Sequence, residues 1–223
     1  MAVITISSQV GAGGAEIARR TAAALGYGFA DKNTIEGIFR QYGMTKFENL
    51  YASSPGVLDL FSYDNLMTIA MLNEIIEGLA QRGRMVILGR GGFAVLGNYA
   101  DVVDVRLEAR LTTRAARIQA RAGLATLAEA EAYATAGDAQ RRKFVQMFYN
   151  RRWDDPAGFD LALDTDVLTL DAAVERIVAA AQACDLLNAT GTAELEVDPV
   201  LADAITRVLA YPLPELANSI ASP

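Results

Sequence analysis

Arg110, Arg114, Arg117 and Arg121 are spaced four, three and four residues apart, which places them on one face of a helix. No Asp or Glu occurs between Ala109 and Gly123. Four stacked cations repel one another, so something outside the helix must compensate them. A guanidinium fork matches phosphate oxygens, and a bound anion is one solution. Acids from elsewhere, such as Glu129 and Glu131, are another. The stripe is part of a wider bias. Of 20 cationic residues 17 are Arg, only Lys32, Lys46 and Lys143 are Lys, and nine Arg fall between Arg106 and Arg152. In a chain of net charge −7, that concentration predicts a small anionic ligand and argues against duplex nucleic acid.

A second element of anion chemistry lies near the start. Gly11-Ala12-Gly13-Gly14-Ala15-Glu16 follows the apolar run Val3-Ile4-Thr5-Ile6 and opens an Ala-rich helical pattern. Backbone N–H groups at a helix start bind anions without a side chain, and glycine admits the positive φ and close approach this requires. The same turn also serves as a ligand-free link from strand to helix. Glu16 is a candidate Mg²⁺ ligand or a favourable acid in the first helical turn. Arg90, flanked by Gly89, Gly91 and Gly92 after another buried strand, is a candidate for substrate phosphate at the ligand edge of an α/β sheet. Asp138 with Arg141 and Arg142 reads as a helical ion-pair cluster. Asp31 and Lys32 close a short strand, and Asp160 and Asp164 flank the last one.

Other chemistries are excluded by composition. There is no histidine, and Cys184 is the single cysteine. Imidazole acid–base catalysis, Ser–His nucleophiles, ordinary zinc sites and an internal disulfide are all ruled out. A lone cysteine and the lack of a basic, cleavable leader pattern predict a reducing cytoplasm. No apolar run reaches the ~20 residues of a membrane span.

The elements that must position these residues alternate. Strands are predicted at 3–6, 28–30, 84–88, 102–107 and 160–165. Helices are predicted at 14–25, 34–42, 59–81, 110–121, 127–148, 171–187 and 198–210. Residues 44–57 read as a loop, 188–193 as a polar linker and the segment from Tyr211 as an irregular tail. Alternation of this kind predicts a parallel sheet covered on both faces. Residues 198–210 carry Leu201, Ile205 and Leu209 on one face, which must dock on the core or mediate a homodimer.

Four segments together resemble the cytidylate-kinase-like branch of the nucleoside monophosphate kinases. They are Ile4 to Arg20, Leu25 to Lys32, Val86-Ile87-Leu88-Gly89-Arg90-Gly91-Gly92, and Trp153-Asp154-Asp155-Pro156 through Phe159-Asp160-Leu161 to Asp164-Thr165. The resemblance implies an α/β, three-layer P-loop NTPase fold with a five-stranded parallel sheet over residues 1–187. It implies a helical NMP-binding insertion at about 33–82 and an Arg-rich helical lid at about 106–152, with 188–223 as an extension. It further implies ATP and Mg²⁺ as cofactors, and as substrate a nucleotide such as CMP or another small phosphorylated molecule. Lid residues Arg114, Arg117, Arg141 and Arg142 are then expected to stabilise the transferred group. Gly11 to Glu16 hold the donor, Asp31 and Arg90 the substrate. The phosphate loop departs from G-x-x-x-x-G-K-[S/T]. Ser8 stands at the first Gly, Gly14 at the Lys and Ala15 where the branch carries Arg. The implied activity is phosphoryl transfer, and the losses also fit a nucleotide-binding or regulatory module without catalysis, or a structural, partner-binding descendant of the fold.

Overall fold

The structure is a computed structural model that describes residues 1–42 and 63–210. The predicted loop at 44–57 and the tail from Tyr211 lie outside the described residues. Five strands form one parallel sheet: β1 (Val3–Ser8), β2 (Gly28–Ala30), β3 (Met85–Leu88), β4 (Val102–Glu108) and β5 (Leu161–Asp164). Their order is β2-β3-β1-β4-β5. Strand β1 therefore sits at the centre, and the chain leaves it where the strand order switches direction, the place where α/β sheets bind ligands. Register pairs Ile6 with Leu88 and with Val105.

Eight helices occur among the described residues: α1 (Gly14–Leu25), α2 (Lys32–Gln41), α3 (Tyr63–Gln81), α4 (Gly92–Leu96), α5 (Leu111–Ala122), α6 (Leu127–Tyr149), α7 (Leu170–Leu186) and α8 (Pro199–Ala210). Alternation along β4 sends Val103, Val105 and Leu107 to one face, where they meet Ile17 and Ala18 of α1 and Ala173 and Ile177 of α7. Val102 goes to the other face, into a larger core with Ile35, Ile38 and Phe39 of α2, Leu72, Ile75 and Leu79 of α3, and Phe93 of α4. Both faces are covered, so the strands are largely apolar, as parallel sheets require, with Thr5, Asp104 and Arg106 as buried polar exceptions.

Helix ends follow local chemistry. Asp31 caps α2 by accepting from the N–H groups of Asn33 (2.9 Å) and Thr34 (3.2 Å), so the helix starts at Lys32 rather than at the predicted Thr34. Thr126 and Glu129 close a capping box at the start of α6. Helix α4 was not expected. It has five residues, too few to show a periodicity, and it starts from Gly91 at φ 78°. The polar stretch expected to be a linker contains a short 3₁₀ turn, Gly191–Glu194. Buried Asp101 holds it by accepting from the Thr192 N–H (3.1 Å) and hydroxyl (2.6 Å).

Helix α8 returns to the core. Leu201, Ala204, Ile205 and Val208 are buried in the cluster built by α2 and α3. No helix among the described residues is long and apolar enough to cross a membrane.

Candidate active site

The turn after β1 is held open by the backbone it leaves. The Gln9 N–H donates to Leu107 O (3.0 Å), and the Gln9 side-chain oxygen accepts from the Ala109 N–H (3.0 Å). Gly11 and Gly13 take φ of 83° and 84°, a region in which a Cβ is strained. The first α1 bond to a turn carbonyl runs from Ile17 N–H to Gly13 O (3.0 Å). The N–H groups of Gly14, Ala15 and Glu16 find no acceptor among the described residues, as expected of a helix start. Gly14 is pressed against Ser8: a Cβ at 14 would lie 2.5 Å from both Cβ and Oγ of Ser8.

Helix α5 lies directly on this turn. A Cβ at Gly11 would meet the Arg114 carbonyl oxygen at 2.8 Å. The arginine stripe then divides along the helix. Arg110 pairs with Asp166, whose carboxyl is held down at about 2 by the Arg110 N–H and then by its guanidinium. Arg114 is buried at 6% exposure and donates to Ala109 O (2.9 Å), Val10 O (2.9 Å) and Asp138 (2.8 Å). Arg117 donates to the Thr165 hydroxyl (3.0 Å) and carbonyl (2.7 Å). The Thr165 hydroxyl lies 3.2 Å from Ala12 O, back in the turn. Arg121 is exposed. The acids that compensate the stripe are thus Asp166 and Asp138. Glu129, considered for this role, is instead bonded to the α6 cap.

An open cleft of about 420 Å³ runs over the glycine turn. Gly11, Gly13, Gly14, Ala15 and Glu16 line it on one side, and Arg117, Arg121 and Arg141 on another. Asp31, Lys32 and Arg90 line the far end. With Arg19, six cationic side chains and two carboxylates face this space, in a chain whose net charge is −7. Arg114, Arg142 and Ala12 do not line it. Arg142 pairs outside with Asp154 (2.9 Å).

At the far end, Arg90 sits on a left-handed backbone at φ 56° and is 8% exposed. Its Nη2 lies 3.6 Å from Oε1 of Glu36, which is also 3.7 Å from Lys32 Nζ. Asp31 is committed to its helix cap and lies 3.6 Å from Arg19. Trp153 is buried and contributes to the cleft wall. Arg106, 1% exposed, stacks over the Trp153 ring at 4.7 Å and donates to its carbonyl. The sequence signal available for it was an arginine inside the apolar strand Val102–Leu107. Glu16 lines the rim and pairs with Arg20 (2.6 Å), which also reaches Asp171 (2.8 Å). Among the described residues no three acids converge as a metal centre. A nucleotide-bound Mg²⁺ needs only one or two carboxylates beside phosphates and water, and Glu16 fits that limited demand. Asp164 binds the Asp166 N–H (2.8 Å), and Asp160 binds the Asp104 N–H (2.8 Å), so both have local structural tasks.

A sequence model of the cytidylate kinase-like family matches residues 3–167. The chain belongs to that family. Among solved structures, an uncharacterized protein from Eubacterium ventriosum superposes with a TM-score of 0.64 at 16% identity, covering 82% of this chain and 99% of the other. A gluconokinase from Sinorhizobium meliloti gives 0.51 at 18% identity, covering 84% and 95%. At such identities the likeness is one of fold, that of P-loop kinases. No curated protein matches the chain in sequence. The turn Gln9–Gly14 joins the central strand β1 to the start of α1.

Proposed function

We propose that this chain transfers a phosphoryl group from ATP to a small acceptor. A nucleoside monophosphate such as CMP is the first acceptor to test. One observation carries the reading: a row of helix-start amides and five guanidinium groups line one cleft, which is positively charged in an acidic protein.

In this reading the amides of Gly13 to Glu16 hold the donor phosphates through the α1 dipole. Arg117, Arg121 and Arg141 supply the positive charge that Gly14 cannot, and stabilise charge developing on the transferred group. Arg90 and Lys32 hold the acceptor phosphate, and α2 with α3 forms the NMP-binding insertion. A phosphate oxygen is an adequate nucleophile once positioned, so a chain without histidine needs no strong base. Mg²⁺, held by phosphates and Glu16, would neutralise donor charge. Arg114 and Arg142 belong to the lid but act through Val10, Asp138 and Asp154 rather than by touching ligand. The single buried cysteine suits a reducing cytoplasm.

The test is ADP formation from ATP and Mg²⁺ over a panel of nucleoside monophosphates and small hydroxyl acceptors. Arg117→Ala and Arg141→Ala should each lower turnover roughly 10²-fold. Arg207→Ala, which breaks an exposed pair with Asp203 on α8, should leave it unchanged. Equal activity in all three eliminates the proposed roles. A second reading, nucleotide binding without transfer, is favoured by one observation: Ser8 occupies the space a side chain at Gly14 needs. Tight nucleotide binding with no ADP formed on any acceptor would select it.

A further inference from the structure

The residues on either side of Gly11, Val10 and Ala12, are both held from outside the turn. Val10 is held at both of its polar atoms. Its N–H donates to Asp138 Oδ1 (2.9 Å), and its carbonyl accepts from Arg114 Nη1 (2.9 Å). Arg114 and Asp138 also bond each other at 2.8 Å. The result is a closed ring of three charge-assisted bonds among one residue of the turn, one of α5 and one of α6. Both side chains are buried, at 7% and 9% exposure. Ala12 is approached by the Thr165 hydroxyl, which in turn accepts from Arg117. Between these two attachments, Gly11 has no room for a Cβ because the α5 backbone is already there.

We infer that Asp138 and Arg114 are positioning residues that dock the α5–α6 pair onto the phosphate loop and set the loop's shape before any nucleotide arrives. This deepens the phosphoryl-transfer reading and rests on it only for the identity of the ligand. The chemistry follows from burial. A buried carboxylate between a peptide N–H and a guanidinium gains strength from the low local dielectric, and loss of either partner leaves the other uncompensated. Asp138 Oδ1 is also 3.8 Å from Arg141 Nη1, and Arg141 lines the cleft. The carboxylate that shapes the loop therefore also orients a guanidinium facing the ligand space. Loop amides and lid cation are placed by one side chain.

The experiment uses the full chain with three variants: Asp138→Asn, Arg114→Met, and both together. Asn keeps an acceptor for the Val10 N–H and removes the charge that Arg114 needs, while the double variant removes both charges. Two quantities are read at a temperature well below every variant's melting point. The first is the dissociation constant for ADP and for pyrophosphate. The second is amide hydrogen exchange at Val10, Gly11 and Ala12 relative to β1. Expected are affinity losses of ~10-fold or more for each single variant. Faster exchange should be confined to the turn, and the double variant should lose less than the two single effects combined. The inference is overturned if Asp138→Asn lowers the melting temperature while leaving turn exchange, and any ADP and pyrophosphate affinity the native chain shows, as they were. If the native chain binds neither probe, the phosphoryl-transfer reading fails, and the exchange data alone decide the latch.

Discussion

At the scale of single residues, the pair Ser8 and Gly14 explains why the turn carries no cation. Gly14→Lys places a Cβ 2.5 Å from two Ser8 atoms, so the substitution must displace the β1 exit. Overpacking of this kind costs ~1–3 kcal/mol, and each kcal/mol is roughly 2–4 °C in a chain of this size. Gly14→Lys alone should lower the melting temperature accordingly, and adding Ser8→Gly should restore most of it. Calorimetry on the two variants checks this. If the single substitution is neutral, the steric account is wrong. Asp104 offers a second test. Burial pushes its carboxyl from an ordinary value of 3.8 up to about 7; the Thr5 hydroxyl bond opposes this and Asp160 adds to it. The folded state thus holds the proton more tightly than the unfolded chain does. That stabilisation is complete below pH 3.8 and is lost as pH rises through about 7. Urea unfolding from pH 5 to pH 8 should show stability falling by up to ~3 kcal/mol from this group, and Asp104→Asn should flatten the slope. The glycine turn and Arg90 were legible in the sequence because their chemistry is local. The fate of Arg114 was not. Helical spacing puts Arg114 and Arg117 on one stripe but says nothing of depth, and Asp138 meets Arg114 across 24 residues that no spacing rule connects.

Among elements, strands and long helices could be read from pattern, because burial on both sheet faces leaves mostly apolar runs and the helices carry a 3.6-residue stripe. Boundaries moved where a side chain decided them, as at Asp31. Short elements escaped, since α4 and the turn at Gly191–Glu194 owe their shape to a left-handed glycine and to buried Asp101. The docking of α8 rests on close packing against α3. A Cβ at Gly78 would lie 2.6 Å from Ile205 Cδ1 and 3.2 Å from Val197 Cγ1. Glycine at 78 is therefore what lets Ile205 of α8, and Val197 just before it, reach the α3 backbone. Ile205→Ala should cost about 3 kcal/mol, measured by denaturant unfolding. A cost below ~1 kcal/mol would show that the contact contributes little.

For the molecule as a whole, α8, the second of the two helices beyond the family-matched segment, completes the core that bears α2 and α3. Truncation at residue 187 exposes the apolar surface that Leu201, Ile205 and Val208 cover, and removes the Asp101–Thr192 bonds. The expected outcome is a melting temperature lowered by 10 °C or more, roughly the effect of several kcal/mol. An unchanged melting temperature and oligomeric state would show that the extension is dispensable. Charge is also arranged at this scale. Six cations and two carboxylates line the cleft, while the surrounding chain is negative overall. An extended polyanion would lie against the negative outer surface along its length, within the ~8 Å over which charges interact in physiological salt. A compact anion fits inside the slot and escapes most of that field. Under the proposed function, a compact anion such as a mononucleotide is therefore expected to enter the cleft more readily than a nucleic-acid strand.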